Sequence, residues 1–151
     1  MGNRNNLDTL AAQVAQETVR DWVPRGEQDA KKKATELDNM ATKALGVLQE
    51  QGVYAGMLYL FSSDDACART LREELLEAFN RPEMQPFDLI LPSNKDKREW
   101  LDVSEHLIER VSDDLDTLLL VKRAWEQTLI YVRYGAKAYK GQEAGGREQG
   151  E

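Results

Sequence analysis

The stretch TLLLVKRAWEQTLIYVRYGAKAYK, from Thr117 to Lys140, carries five cations and one acid. Lys122, Arg123, Arg133, Lys137 and Lys140 are phosphate-binding residue types, and their spacing decides whether they can act together. On a helical wheel with Lys122 at about 0°, Arg133 falls at about 20°, Lys140 at about 0°, Lys137 at about 60° and Arg123 at about 100°. The five make one cationic strip, long enough to lie beside several phosphates of an extended strand. Leu118, Val121, Trp125, Leu129, Val132, Ala136 and Tyr139 form the neighbouring apolar side, with Tyr131 and Tyr134 at the polar border. A solvated basic face is the plain alternative. The helix dipole favours cations near a C-terminus, and Glu126 can pair with Lys122 at i, i+4.

The whole chain limits what such a strip can do. Acids outnumber Lys and Arg by 27 to 20, for a net charge of -7. Phosphate is repelled by a net anion at long range, which argues against a free-standing, indiscriminate nucleic-acid binder. It does not argue against a local contact, made once something else has delivered the nucleic acid.

Other chemistry-bearing residues are few. His106 is the only histidine, and the wheel sets it opposite Trp100 and Val111, in solvent. Cys67 lies near a helix start, where a thiol pKa can fall. It has no histidine placed as its base, and it reads as a small buried side chain. A zinc site needs about four Cys or His ligands, and the chain has one of each. Walker, GxGxxG and GxSxG loops are missing from the sequence. Glu73 with Glu74, and Asp113 with Asp114, are adjacent pairs whose side chains point about 100° apart on a helix, so they do not converge as catalytic dyads. The expectation is a protein that is not an enzyme and takes no cofactor or metal.

The elements that position the strip are helical almost throughout. With 151 residues, 41% hydrophobic and 31% charged, the chain suits one domain with its own core. The expected fold class is all-α, a single compact bundle of about five to six helices with a long C-terminal helix. It spans 1–140, followed by a disordered polar tail over 141–151. A first helix is expected over Leu7–Val23, stopped by Pro24 and Gly26. A second runs over Glu27–Gln51, with Ala30, Ala34, Leu37, Ala41, Ala44, Leu45 and Leu48 on one side, so small that another helix can approach closely. The lysines at 31–33 read as a solvated run, with a phosphate or acidic-partner contact as the alternative.

Gly52 ends that helix as a left-handed cap. Val53–Phe61 is apolar nearly all round and fits a core helix or a strand by periodicity, with composition favouring helix. Gly56 there marks a close crossing. Ser62 or Ser63 caps the next helix, whose Ala68, Leu71, Leu75 and Phe79 face inward. Residues 80–96, broken by Pro82, Pro86 and Pro92, read as a surface loop that could carry an interface. A fifth helix starts near Lys95 or Asp96, with Trp100, Ser104, Leu107, Ile108 and Val111 on one face. A sixth starts at Ser112–Asp114 and runs to about Lys140, unless the two are one bent helix. One cysteine and no long apolar run fit a reducing compartment, the cytoplasm, without signal peptide or membrane span.

The segment LLLVKRAWEQTLIYVRYGAKAY resembles the C-terminal signature of a known family, the small helical subunit of type III-B CRISPR effector complexes, fifth subunit of the Cmr (RAMP) module. That signature reads as an apolar pair, Val-Lys-Arg, an aromatic-leucine-basic run and a closing Ala-x-Ala. Here it is carried by Leu119, Leu120, Val121, Lys122 and Arg123, then Tyr131, Val132 and Arg133, then Ala136, Lys137 and Ala138. ATKALGVLQEQGVYAGMLYLFSS is similar to the family's mid-chain element, a helix ending at glycine before an apolar helix. Gly135 departs from the pattern, which has a bulky aromatic or Leu there. The resemblance implies a non-catalytic subunit. Such subunits stack head to tail as a minor filament, against backbone subunits and along the crRNA–target RNA duplex. A cationic strip on an acidic body would then touch RNA that larger subunits have delivered. A helical protein–protein adaptor without a nucleic-acid role is the alternative.

Overall fold

The computed structural model describes residues 2–23, 29–91 and 99–149, with side chains over 7–23, 29–91 and 99–140. Helix α1 spans Gly2–Trp22, α2 Ala30–Gln51, α3 Val53–Phe61 and α4 Ala66–Glu77. Two 3-10 turns follow, Ala78–Asn80 and Pro82–Phe87. Helix α5 is Trp100–His106 and passes into a π-turn over Leu107–Val111. Helix α6 is Leu115–Gln149. The described residues form an all-α bundle without strands. None of its helices is long and apolar enough to cross a membrane.

The centre of the bundle is α6 laid across α2 and α1. The alanine stripe of α2 is buried as its spacing requires, Ala30, Ala34, Ala41 and Ala44 included, and these small side chains let α6 close in. Gly52 adopts φ 100° with ψ -176°. That is the glycine-only extended region rather than the left-handed helical one. It lets the chain leave α2, with its N–H still bonded to Leu48 O at 2.9 Å, and enter α3 at once. A Cβ on Gly56 would stand 3.3 Å from Leu48 Cβ, so the expected close crossing is present.

The cap of α4 is Asp65, whose carboxylate accepts from Cys67 N at 2.9 Å; Ser63 instead accepts from Asp65 N at 3.2 Å. The break between α5 and α6 is real, because Asp114 accepts from Thr117 N at 3.2 Å and starts a new helix. The α6 backbone is helical beyond the expected end at Lys140, as far as Gln149. The expected start of the fifth helix at Lys95 or Asp96 lies outside the described residues.

Of the expected surface loop at 80–96, residues 92–96 lie outside the described residues, and 80–91 pack partly into the core. Met84, Leu89 and Leu91 are buried in the core. Proline forbids a continuous α-helix but not a 3-10 turn, and here Pro82 opens one. Asp88 then turns the chain at φ 55°, and Asn80 Oδ1 accepts from Leu91 N at 2.7 Å, tying the far end back.

Helix α4 meets α1 through a group of acids. Arg81 pairs with Glu17, and Glu74 shares a hydrogen bond with Asp21. Burial, then that bond and the charges of Asp21 and Glu17, push the Glu74 carboxyl from 4.5 up to about 7, against the pull of Arg81. Between pH 4.5 and about 7 the folded state holds a proton that the unfolded chain has released. Stability is therefore undiminished below this window, falls as pH rises through it, and stays lower above it. Glu74→Gln should flatten the urea midpoint measured against pH across that interval. A Gln variant as pH-dependent as the parent would assign the slope to other groups.

Candidate nucleic-acid interface

Helix α6 brings its five cations into two sets rather than one strip. Arg133 and Lys140 lie toward α2 and, like Lys122, are half-buried, whereas Arg123 and Lys137 are exposed. Arg133 Nε is 3.5 Å from Asp38 Oδ1, and Lys140 Nζ is 3.8 Å from Asp38 Oδ2. The Arg133 Nε contact lacks hydrogen-bond geometry, so the attraction is Coulombic. Lys122 Nζ lies 3.8 Å from Glu126 at i, i+4. Two cations of the expected strip thus hold α6 to α2, with Asp38 side-chain exposure down to 12%.

The outward face of α6 carries Leu119, Arg123, Tyr134 and Lys137, all exposed. Lys137 Nζ is 5.9 Å from the Tyr134 ring centroid, at the outer limit for a cation–π contact. Arg123 borders a 360 Å³ recess with Leu7, Asp8 and Asp116 near the N-terminal ends of α1 and α6. Further along the same pair of helices lies an open apolar groove of 760 Å³, between Val19 and Arg20 on one side and Tyr131 and Tyr139 on the other. Gly135 forms its floor, where a Cβ would come 3.2 Å from Val19 Cγ2. The glycine at this position therefore has a packing consequence: α1 runs close over α6. Tyr131 donates to Asp8 across the two recesses, which raises the phenol pKa.

The remaining candidates divide clearly. Lys33 Nζ sits 4.9 Å over the Trp22 ring and ties α2 to α1, while Lys31 and Lys32 are exposed. His106 is not in solvent: its Nε2 is 3.1 Å from Leu89 O, its ring lies 5.7 Å from that of Phe79, and burial lowers its pKa. The wheel failed here because the 80–91 segment, which lies outside the α-helical period, places Leu89 against that side of α5. Cys67 is buried, and burial followed by the charges of Asp65 and Glu36 pushes its thiol up to about 12, away from nucleophilic chemistry. Among the described residues there is no cluster of three acids, histidines or cysteines fit to hold a metal ion.

Asp38 is the residue that the sequence reading missed. It sits beside Leu37 and one turn before Ala41 in the buried stripe of α2. A carboxylate in such a stripe must have a cation partner, which is the signal that could have found it. No family model, curated protein or solved structure matches the chain.

Proposed function

We propose that this protein is a non-catalytic small subunit of a type III CRISPR RNA-guided complex, which touches RNA through α6 while larger subunits hold the guide. The observation that carries the reading is the exposed Arg123–Tyr134–Lys137 face on a chain of net charge -7. Arg123 and Lys137 are about 21 Å apart along the helix, at about 1.5 Å per residue, a span that covers several phosphates. The Tyr134 ring between them offers a flat apolar surface to a ribose or base. The acidic body suppresses binding to RNA in isolation and favours basic neighbours within an assembly. The sequence signature of α6 supports the same class, since Val121 and Val132 face the core while Arg123 and Lys137 face outward.

The adaptor reading draws support from one feature. Arg133 and Lys140 neutralise Asp38, so fewer cations remain for phosphate than the sequence alone suggests. The experiment that separates the two is purification of the tagged chain with the products of its neighbouring genes, followed by titration of the assembly with target RNA.

A further inference from the structure

The outer face of α5 and the π-turn is apolar where a solvated helix would be polar. Leu101, Ile108 and Leu115 are 74%, 52% and 66% exposed. Leu101 and Ile108 both lie outside the buried side formed by Val103, Leu107 and Val111. Leu115 opens α6 just beyond the turn at 112–114.

This face belongs to a fixed platform. Val103, Leu107 and Val111 anchor its inner side in the core. Trp100 lies edge-on to Tyr54 at 5.2 Å and tilted against Phe61 at 5.2 Å, and the Tyr54 and Ser104 hydroxyls are 3.0 Å apart. The π-turn does the sorting. Ser112 N donates to Leu107 O at 2.7 Å across five residues, and this wider turn keeps both Leu107 and Val111 inward. Ile108, Glu109 and Arg110 are left outside. A regular helix read from the sequence had put Ile108 with the core.

Among the described residues the rim of the face is acidic. Glu99, Asp102, Glu105, Glu109, Asp113 and Asp116 are all exposed, and Arg110, the one arginine there among the described residues, is held 3.1 Å from Asp88. Exposed aliphatic side chains rimmed by charge mark an interaction surface, and the sign of the rim selects the partner. Phosphate, an anionic membrane and a second acidic copy of the same face are all repelled. We infer that the Leu101–Ile108 face docks a cationic amphipathic helix of another polypeptide, with the aliphatic pair as anchor and the carboxylates pairing with Lys or Arg. This inference does not depend on RNA contact by α6.

The full chain is titrated with a synthetic helical peptide bearing a leucine stripe flanked by lysines, and with the same peptide carrying glutamine for lysine. Two double variants are compared, Leu101→Ser with Ile108→Ser and Glu105→Lys with Glu109→Lys. All four residues are exposed, so urea unfolding should match wild type. The lysine peptide should bind about tenfold or more tighter than the glutamine peptide, and each double variant should weaken it by about tenfold or more. Hydrogen-exchange protection should concentrate in 100–111. Absence of binding, equal binding of the two peptides, or affinity unchanged in either double variant would overturn the inference. So would self-association of the chain that the Leu101/Ile108 variant abolishes, because the occupant would then be a second copy.

Discussion

Trp125→Ala should lower the unfolding free energy by about 3–5 kcal/mol. The indole is 2% exposed and stands where α6 meets α4. Its Nε1 donates to Leu75 O at 3.2 Å, and its ring lies 5.4 Å from Phe79 at a 32° tilt. Removing it opens a cavity beside Phe79, and incomplete relaxation around such a cavity adds to the lost burial. It also removes the side-chain donor to Leu75 O. The measurement is a urea unfolding curve in which the midpoint falls with the slope unchanged. A loss under about 1 kcal/mol would contradict the packing described and move Trp125 from core to interface.

The second large effect concerns the inner cations. Arg133→Glu with Lys140→Glu should destabilise the protein by about 2–4 kcal/mol, since it replaces two attractions at Asp38 by two repulsions in a half-buried setting. Adding Asp38→Asn to that double variant should recover part of the loss, and this recovery is the sign of direct coupling. The exposed pair should behave otherwise: Arg123→Glu with Lys137→Glu should stay within about 0.5 kcal/mol of wild type. Equal stability of the two double variants would mean that Asp38 does not hold α6 to α2. Reversing Lys122, Arg133, Lys137 and Lys140 together would mix loss of fold with loss of contact.

Periodicity carried the interior of the long helices. The buried side of α2 and the sequence Val121, Trp125, Leu129, Val132, Ala136 on α6 follow from 3.6-residue spacing, because a helix fixes direction residue by residue. It failed wherever the backbone leaves that period. The π-turn at Leu107–Val111 turned Ile108 outward, and the 3-10 turns brought Met84 and Leu89 into a core that a proline-rich segment was not expected to reach. The strip was legible as a set of residue types on one helix. Its division into paired and exposed cations was not, because that depends on Asp38, which lies on a different helix and reaches Arg133 and Lys140 only through tertiary packing. A wheel places a side chain relative to its own axis and says nothing of what stands opposite.

The central claim is RNA contact by the outward face of α6 inside an assembly. Its most direct test is the target-RNA affinity of the assembly purified with the tagged chain, measured over a range of salt for wild type and for Arg123→Glu with Lys137→Glu. The proposal predicts that the purified assembly contains backbone subunits and a short RNA. It predicts weaker target binding by the variant with guide loading retained, and a log–log salt slope shallower by about 0.7–0.9 for each phosphate contact removed. An assembly without RNA, or a variant that matches wild type in both affinity and salt slope, would contradict it and leave the adaptor reading in its place.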